Sequence, residues 1–360
     1  MTYKIAVIGG DGIGPEVIRE TIKVAQVVTS KYNLPMKIRQ FPYGADHYLE
    51  TGVTIPESVF SQWQTEYSAV LLGALGDPRV ESNVHAEDIL MGFRRKFDLY
   101  VNYRPVTLIN KKYCPLKQVT DEKQVDFIVF RENTEDIYVN IGGCLKRGTT
   151  DEMAIENSVH TYKGVERILR AAFQYAKDTG RKSVVMGHKG NAMKNAGALW
   201  LRLFSEIGHQ FPGIEKKSMY IDALCMDVIK NPASYSVIVT SNMFGDILTD
   251  VAAQVQGGIG LAASVNYHAA DKKFLGVYEP VHGSAPDIAG KNIANPMASI
   301  LSYYLMLQRM GFETEALVVY EAVAKALEQG HVTPDLGGKF STSRVGDFIC
   351  AKIEEARKWA

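Results

Sequence analysis

The sequence predicts an α/β protein with largely parallel sheets and helices packed on their faces. Two observations carry that expectation. Short apolar, β-branched runs alternate with amphipathic stretches along the chain, as in strand–helix–strand units. The amphipathic stretches repeat their apolar residues at helical spacing.

The first strand is expected over residues 3–8. It leads into Gly9-Gly10-Asp11-Gly12-Ile13-Gly14 and a helix with Pro15 in its first turn and Ile18, Ile22 and Ala25 on one face. This turn invites a Rossmann reading, but the G-x-G-x-x-G fingerprint needs glycine where Pro15 stands. The acidic residue expected about 20 positions on is also missing, since the chain there reads Val27-Val28-Thr29-Ser30-Lys31. A tight strand-to-helix turn is the better account.

Further strands are expected over 68–72, 127–130, 183–186, 217–221 and 235–240. One helix carries Val165, Ile168, Leu169, Ala172 and Phe173 on one face and stops near Gly180. Another runs over about 198–207. Residues 138–163 break the rhythm: Gly142-Gly143, Gly148-Thr149-Thr150 and alternating residues predict a small antiparallel excursion.

With 360 residues the chain has room for two lobes, each with its own core. Its 40 basic and 40 acidic residues cancel, so bulk charge draws it to neither nucleic acid nor anionic membrane. No apolar stretch approaches the roughly 20 residues that span a bilayer. The opening MTYKIAVIGGDGIGPE has no basic segment ahead of its apolar run, unlike a signal peptide. Cys114, Cys144, Cys225 and Cys350 lie far apart, which favours free thiols over a disulfide frame or zinc site. A cytoplasmic protein is expected.

The strongest chemical signal is Ser241-Asn242-Met243-Phe244-Gly245-Asp246-Ile247-Leu248-Thr249-Asp250, at the carboxyl end of a strand, where open α/β sheets place ligands. Asp246 and Asp250 share a helix face. Spacing alone leaves them as ligands to one hard cation or as two solvated carboxylates. Arg94-Arg95 and Arg104 bracket Phe97-Asp98-Leu99-Tyr100-Val101-Asn102-Tyr103, and Arg131-Glu132-Asn133 follows another strand. Guanidinium forks suit a carboxylate substrate, although each arginine taken singly is better read as structural. His188-Lys189-Gly190-Asn191 also follows a strand, which makes Lys189 a candidate base.

Together these segments resemble the metal-dependent β-decarboxylating dehydrogenases of isopropylmalate, isocitrate, homoisocitrate and tartrate or D-malate. The likeness runs from Gly10-Asp11-Gly12-Ile13-Gly14-Pro15-Glu16 to Glu279-Pro280-Val281-His282-Gly283-Ser284-Ala285-Pro286-Asp287-Ile288-Ala289-Gly290 and Asn295-Pro296. It implies a two-lobed α/β fold that is not Rossmann, with residues 1–104 and 257–360 in the large cofactor-binding lobe. Residues 105–256 would form the small lobe, with a dimerisation arm over about 138–163. It also implies a homodimer with shared sites, Mg2+ or Mn2+ on Asp222, Asp246 and Asp250, and K+ as an accessory ion. Tyr138 and Lys189 would be the acid and base, with Lys189 and Asp222 serving the neighbouring subunit. Arg94, Arg104 and Arg131 would hold the substrate carboxylates.

The resemblance places the cofactor on Asn191, His282, Gly283, Ala285, Asp287, Ile288 and Asn295. A carboxylate at Asp287 accepts hydrogen bonds from a ribose 2′-hydroxyl and repels a 2′-phosphate, so NAD is expected. Leu90 and Met91 precede Arg94 by four and three residues and would meet the substituent on C3. Isocitrate-specific relatives carry polar residues there, whereas Asp88 here would repel a third carboxylate. An apolar C3 group such as isopropyl is expected, with benzylmalate, tartrate or D-malate, and homoisocitrate as alternatives. A non-catalytic regulatory paralogue would lack a catalytic residue, and none is missing.

Overall fold

The computed structural model describes residues 2–120 and 124–357. Its strands are β1 (Tyr3–Gly10), β2 (Met36–Phe41), β3 (Ala69–Ala74), β4 (Val101–Thr107), β5 (Asp126–Glu132), β6 (Gly142–Leu145), β7 (Met153–Glu156), β8 (Ser183–His188), β9 (Glu215–Tyr220), β10 (Val237–Thr240), β11 (Ala263–Tyr267) and β12 (Val277–Pro280). Ten of them form one sheet in the order β2-β1-β3-β12-β11-β4-β5-β10-β8-β9, and β6 pairs with β7 alone. The sheet is parallel toward both edges. At its centre β12, β11, β4 and β5 run antiparallel.

The helices are α1 (Gly14–Tyr32), α2 (Ala45–Thr51), α3 (Glu57–Glu66), α4 (Val84–Lys96), α5 (Tyr162–Asp178), α6 (Lys194–Gly208), α7 (Ile221–Lys230), α8 (Asn242–Val255), α9 (Met297–Arg309), α10 (Glu313–Glu328) and α11 (Thr342–Glu355). All six expected strands, the three expected helices and the antiparallel excursion are present. The expected strand over 217–221 ends one residue earlier, because Ile221 opens α7. The strand at 235–240 begins at Val237, and Tyr235 instead donates to Asp227 of α7 across 2.5 Å.

Alternating side chains on each strand divide the sheet into two faces. On one face a single apolar core runs from Ile5, Val7 and Leu71 through Val265 to Phe130 and Val239, covered by α1, α5, α6, α9, α10 and α11. The other face carries two separate cores. One joins Ile8, Leu72 and Val277 to Trp63 and Phe93 of α3 and α4. The second joins Phe127, Val129 and Ile238 to Leu224 and Leu248 of α7 and α8. Between these two cores the central strands show polar residues: Glu279, Ser264, Asn266, Asn102, Arg104 and Arg131, all buried. That polar interval is where the site lies.

The glycine-rich turn after β1 is explained by protein contacts. Gly12 has φ +55, and a Cβ there would sit 2.0 Å from the Ser284 carbonyl oxygen. The Ile13 amide donates to that same oxygen at 2.8 Å. Asp11 is buried and accepts from the amides of Ala45 and Gly76, with His85 Nε2 2.7 Å away. The turn thus packs the 282–288 loop against the amino end of α1. Among the described residues no helix is long and apolar enough to cross a membrane, and all four cysteines are free.

Candidate active site

Three arginines reach the polar interval from three elements. Arg94 ends α4, Arg104 sits in β4, and Arg131 lies near the end of β5. All are buried. Burial, sharpened by the Arg131 charge, pulls the Arg94 and Arg104 guanidinium groups down to about 10. Three crowded cations in a low-dielectric interval are stable only if anions join them.

Asp246, in the first turns of α8, supplies one anion. Its Oδ1 accepts from Arg131 and lies 3.3 Å from Arg104 Nη1. Its Oδ2 accepts from the Tyr138 hydroxyl at 2.9 Å. Burial alone would raise this carboxyl, but Arg131, Arg104, the tyrosine bond and Arg94 hold it below the usual range. Arg131 also donates to Asn242 Oδ1 at 2.9 Å. It passes so close to α8 that a Cβ on Gly245 would meet its side chain at 2.6 Å. Glycine lowers helix stability by up to about 1 kcal/mol, and at this first-turn position the close approach explains it.

Asp250 is one turn further along α8. Its side chain reaches solvent, yet surrounding protein and then the Asp246 charge raise its carboxyl above the ordinary value. Two oxygen-donor carboxylates that repel each other on one helix face fit a hard divalent cation. Tyr138 stands in a turn after β5 that is tied to α8: Asp136 Oδ2 accepts from the Met243 amide at 3.1 Å, and Asn242 Nδ2 donates to the Glu135 carbonyl at 3.1 Å. Burial first, then the contact with Asp246, pushes the Tyr138 phenol up and keeps it protonated at neutral pH.

Lys189 and Asp222 do not join this cluster. They pair with each other at 2.7 Å, and the Asp222 side chain is 61% exposed. That pairing holds the Asp222 carboxyl low. Lys189 lines a small crevice with His188, Ser241 and Phe244. Phe244 points about 200° around the helix from Asp246, given ~100° per residue. Within one chain, then, the expected base is on the wrong side of α8. Among the described residues no group of three or more possible metal ligands forms.

The remaining expected residues are spread around the interval. Leu90 shares the Arg94 side of α4, and Met91 lines a cavity of about 320 Å³ with Ile55, Phe60 and Arg95. Gly283, Ala285, Asp287 and Ile288 form the loop against the glycine-rich turn. His282 is buried with its imidazole driven toward the neutral form by burial. Asn295 donates to Asp335 at 3.1 Å, and Asp335 was not singled out in the sequence. Asn191 is exposed beside Lys189, in the other half of the sheet from that loop. Glu279 opens the 279–290 motif, where the sequence alone gives it no role. Its carboxylate is a second counter-charge, acting through space on Arg94 and Arg104.

The model for the family described as isocitrate/isopropylmalate dehydrogenase matches residues 4–349. A 3-isopropylmalate dehydrogenase of Thermobifida fusca is 42% identical over 354 residues, covering 98% of each chain. One of Streptomyces coelicolor is 41% identical over 353 residues, covering 98% of this chain and 99% of the relative. The crystal structure of isocitrate dehydrogenase from Methylococcus capsulatus superimposes with a TM-score of 0.86 at 32% identity, over 98% of this chain and 99% of that one.

Proposed function

Because the chain belongs to the isocitrate/isopropylmalate dehydrogenase family, we propose that it oxidises and decarboxylates a 3-substituted malate, 3-isopropylmalate first, with NAD as hydride acceptor. The observation that carries this reading is the convergence of Arg104, Arg131 and Tyr138 on Asp246. Cations for two carboxylates, a proton donor and a cation ligand meet at one place.

The chemistry follows from the side chains. Arg94, Arg104 and Arg131 hold the malate carboxylates and fix C2 and C3 in the interval. Lys189 of a second copy takes the C2 hydroxyl proton while the hydride leaves for NAD+. The 2-keto acid then carries a carboxylate β to its carbonyl, and CO2 departs with its bonding electrons left on the substrate. Tyr138, kept protonated by its surroundings, delivers the proton to C3. Asp246 and Asp250, with Asp222 of a second copy, would hold Mg2+ or Mn2+, which when bound polarises the C2 oxygen and offsets the developing negative charge. Leu90 and Met91 set the apolar preference at C3, and an isopropyl group buried there contributes about 2 kcal/mol.

A second copy is supported by what one chain leaves uncovered. Leu145, Met153 and Ile155 on β6 and β7 are exposed, as is Ile141 just before β6, and Met226 on α7 is 68% exposed. Exposed apolar side chains gathered on a two-stranded arm favour a protein interface. We divide the chain into 1–104 with 257–360 and 105–256, a division that the two separate cores on the site face support. Free thiols and cancelled bulk charge fit a cytoplasmic enzyme. The test is NADH formation with NAD+ and Mn2+ on D-malate, tartrate, isopropylmalate, benzylmalate, homoisocitrate and isocitrate. Isopropylmalate is expected to give the highest kcat/KM, and a win for isocitrate overturns the role given to Leu90 and Met91.

A further inference from the structure

We infer that Asn266 is a positioning residue for this reaction: it fixes the Glu279 carboxylate on the polar face that carries the substrate arginines and ties it to both halves of the sheet. The inference deepens the dehydrogenase reading and rests on it for the identity of the ligand.

Asn266 on β11 lies directly opposite Asn102 on β4, which lies opposite Arg131 on β5. Opposed residues on neighbouring strands face the same side, so one row across the sheet carries Asn266, Asn102 and Arg131. Two residues along, Arg104 and Ser264 share that face, and Glu279 lies opposite Ser264. Glu279 therefore stands in the row of Arg104, two strands away across β11, and acts electrostatically on both Arg94 and Arg104.

The hydrogen-bond polarity of the cluster is forced from its two ends. A carboxylate only accepts, so Asn266 turns its Nδ2 to Glu279 Oε1, at 2.6 Å. That leaves the Asn266 Oδ1 to accept, and it takes Nδ2 donors from Asn102 and Asn133, each at 2.9 Å. Asn133 must present its Nδ2 for another reason as well, since it donates to the Leu99 carbonyl at 2.8 Å. Asn102, Asn133 and Asn266 are all buried. The Oδ1 atoms of Asn102 and Asn133 have no protein partner. A core of this kind is destabilising compared with apolar packing, and such a sacrifice is concentrated where geometry serves function. Asn133 stands just beyond β5 and Glu279 on β12, so Asn266 links the strand that bears Arg131 to the strand that leads into the 282–288 loop.

The isosteric Asn266→Asp tests the role. It keeps the shape and the acceptor for Asn102 and Asn133, but sets a second carboxylate against Glu279. By calorimetry its affinity for 3-isopropylmalate should fall about tenfold, the loss of one charge-assisted hydrogen bond. KM for the same compound should rise with it, while KM for NAD stays unchanged and far-UV circular dichroism stays native. The swap Asn266→Asp with Glu279→Gln restores a donor–acceptor pair and should regain most of that affinity. Asn133→Ser, which removes one donor to Asn266, should weaken binding in the same direction by less. Wild-type affinity in Asn266→Asp, or a swap as weak as its two single changes combined, overturns the proposal. Wild-type protein that binds the dicarboxylate but forms no NADH from any malate sinks the dehydrogenase reading alone. Failure to bind at all sinks both.

Discussion

The Tyr138 hydroxyl donates to the Asp246 carboxylate across 2.9 Å. The acid meant for C3 and a ligand meant for the cation thus share one hydrogen bond in the free protein. Tyr138→Phe removes the proton donor but also frees Asp246 of a competitor. We expect kcat to fall about 100-fold, typical for loss of a general acid, with Mn2+ binding equal or tighter. Steady-state NADH formation and a Mn2+ titration read the two effects. Because the phenol is raised above 10.0, the wild-type alkaline limb should lie above pH 10 if Tyr138 sets it.

Asp250 is destabilising when ionised without a cation. Its carboxyl is raised, so its favourable contribution is full below its ordinary value of 3.8 and is lost as pH rises through the higher folded value. Asp250→Asn should therefore raise the melting temperature at neutral pH in metal-free buffer, with no gain below about pH 4. The wild type should gain about 2.7 kcal/mol from Mn2+ at 100 times its Kd, and the variant far less. Calorimetric melts with and without Mn2+ decide it.

Lys189 and Tyr138 serve one reaction only if they come from different copies. Lys189→Met and Tyr138→Phe homodimers should each be nearly inactive. When the two are unfolded together and refolded, roughly a quarter of wild-type sites should return, since half the dimers are mixed and each has one intact site. Mixtures that stay as inactive as the parents would refute the shared site.

Gly245 is needed for the passage of Arg131. A methyl group there meets the Arg131 side chain at 2.6 Å. Gly245→Ala should cost about 1–3 kcal/mol by overpacking, although alanine is the better helix former. KM for the malate should rise more than KM for NAD, as kinetics with each substrate varied would show.

Asp287 is expected to favour NAD by repelling a 2′-phosphate. Asp287→Lys should shift the ratio of kcat/KM for NAD+ over NADP+ at least tenfold toward NADP+. An unchanged ratio would remove the loop from cofactor choice.

Much of the fold was legible because buried parallel strands read as continuous apolar runs, as at β1, β3 and β10. The strands left out are those that carry the site or the edge. β4 reads Val-Asn-Tyr-Arg-Pro-Val-Thr and β11 ends in Val-Asn-Tyr, because one side of each faces polar groups. β2 is an edge strand with mixed exposure. Arg131 and the α8 aspartates were legible after apolar strands, Arg94 and Arg104 as a pair bracketing one segment, and Tyr138 only through the resemblance. Glu279 and Asn266 were not, since each sits among apolar neighbours in a short strand, and only cross-strand register reveals its partner. The distance of Lys189 from Asp246 depends on how α8 is rotated, which periodicity near residue 246 does not reveal.

The register of β4 carries a consequence for quality control. Asn102 and Arg104 belong to one face of that strand, while Val101 belongs to the apolar core on the other. Slipping the pairing by a single residue would drive a guanidinium and an amide among leucines and valines, and would expose valine to the reaction centre. A molecule folded with this strand out of step is therefore both inert and unstable, so nearly every copy that survives should be fully competent.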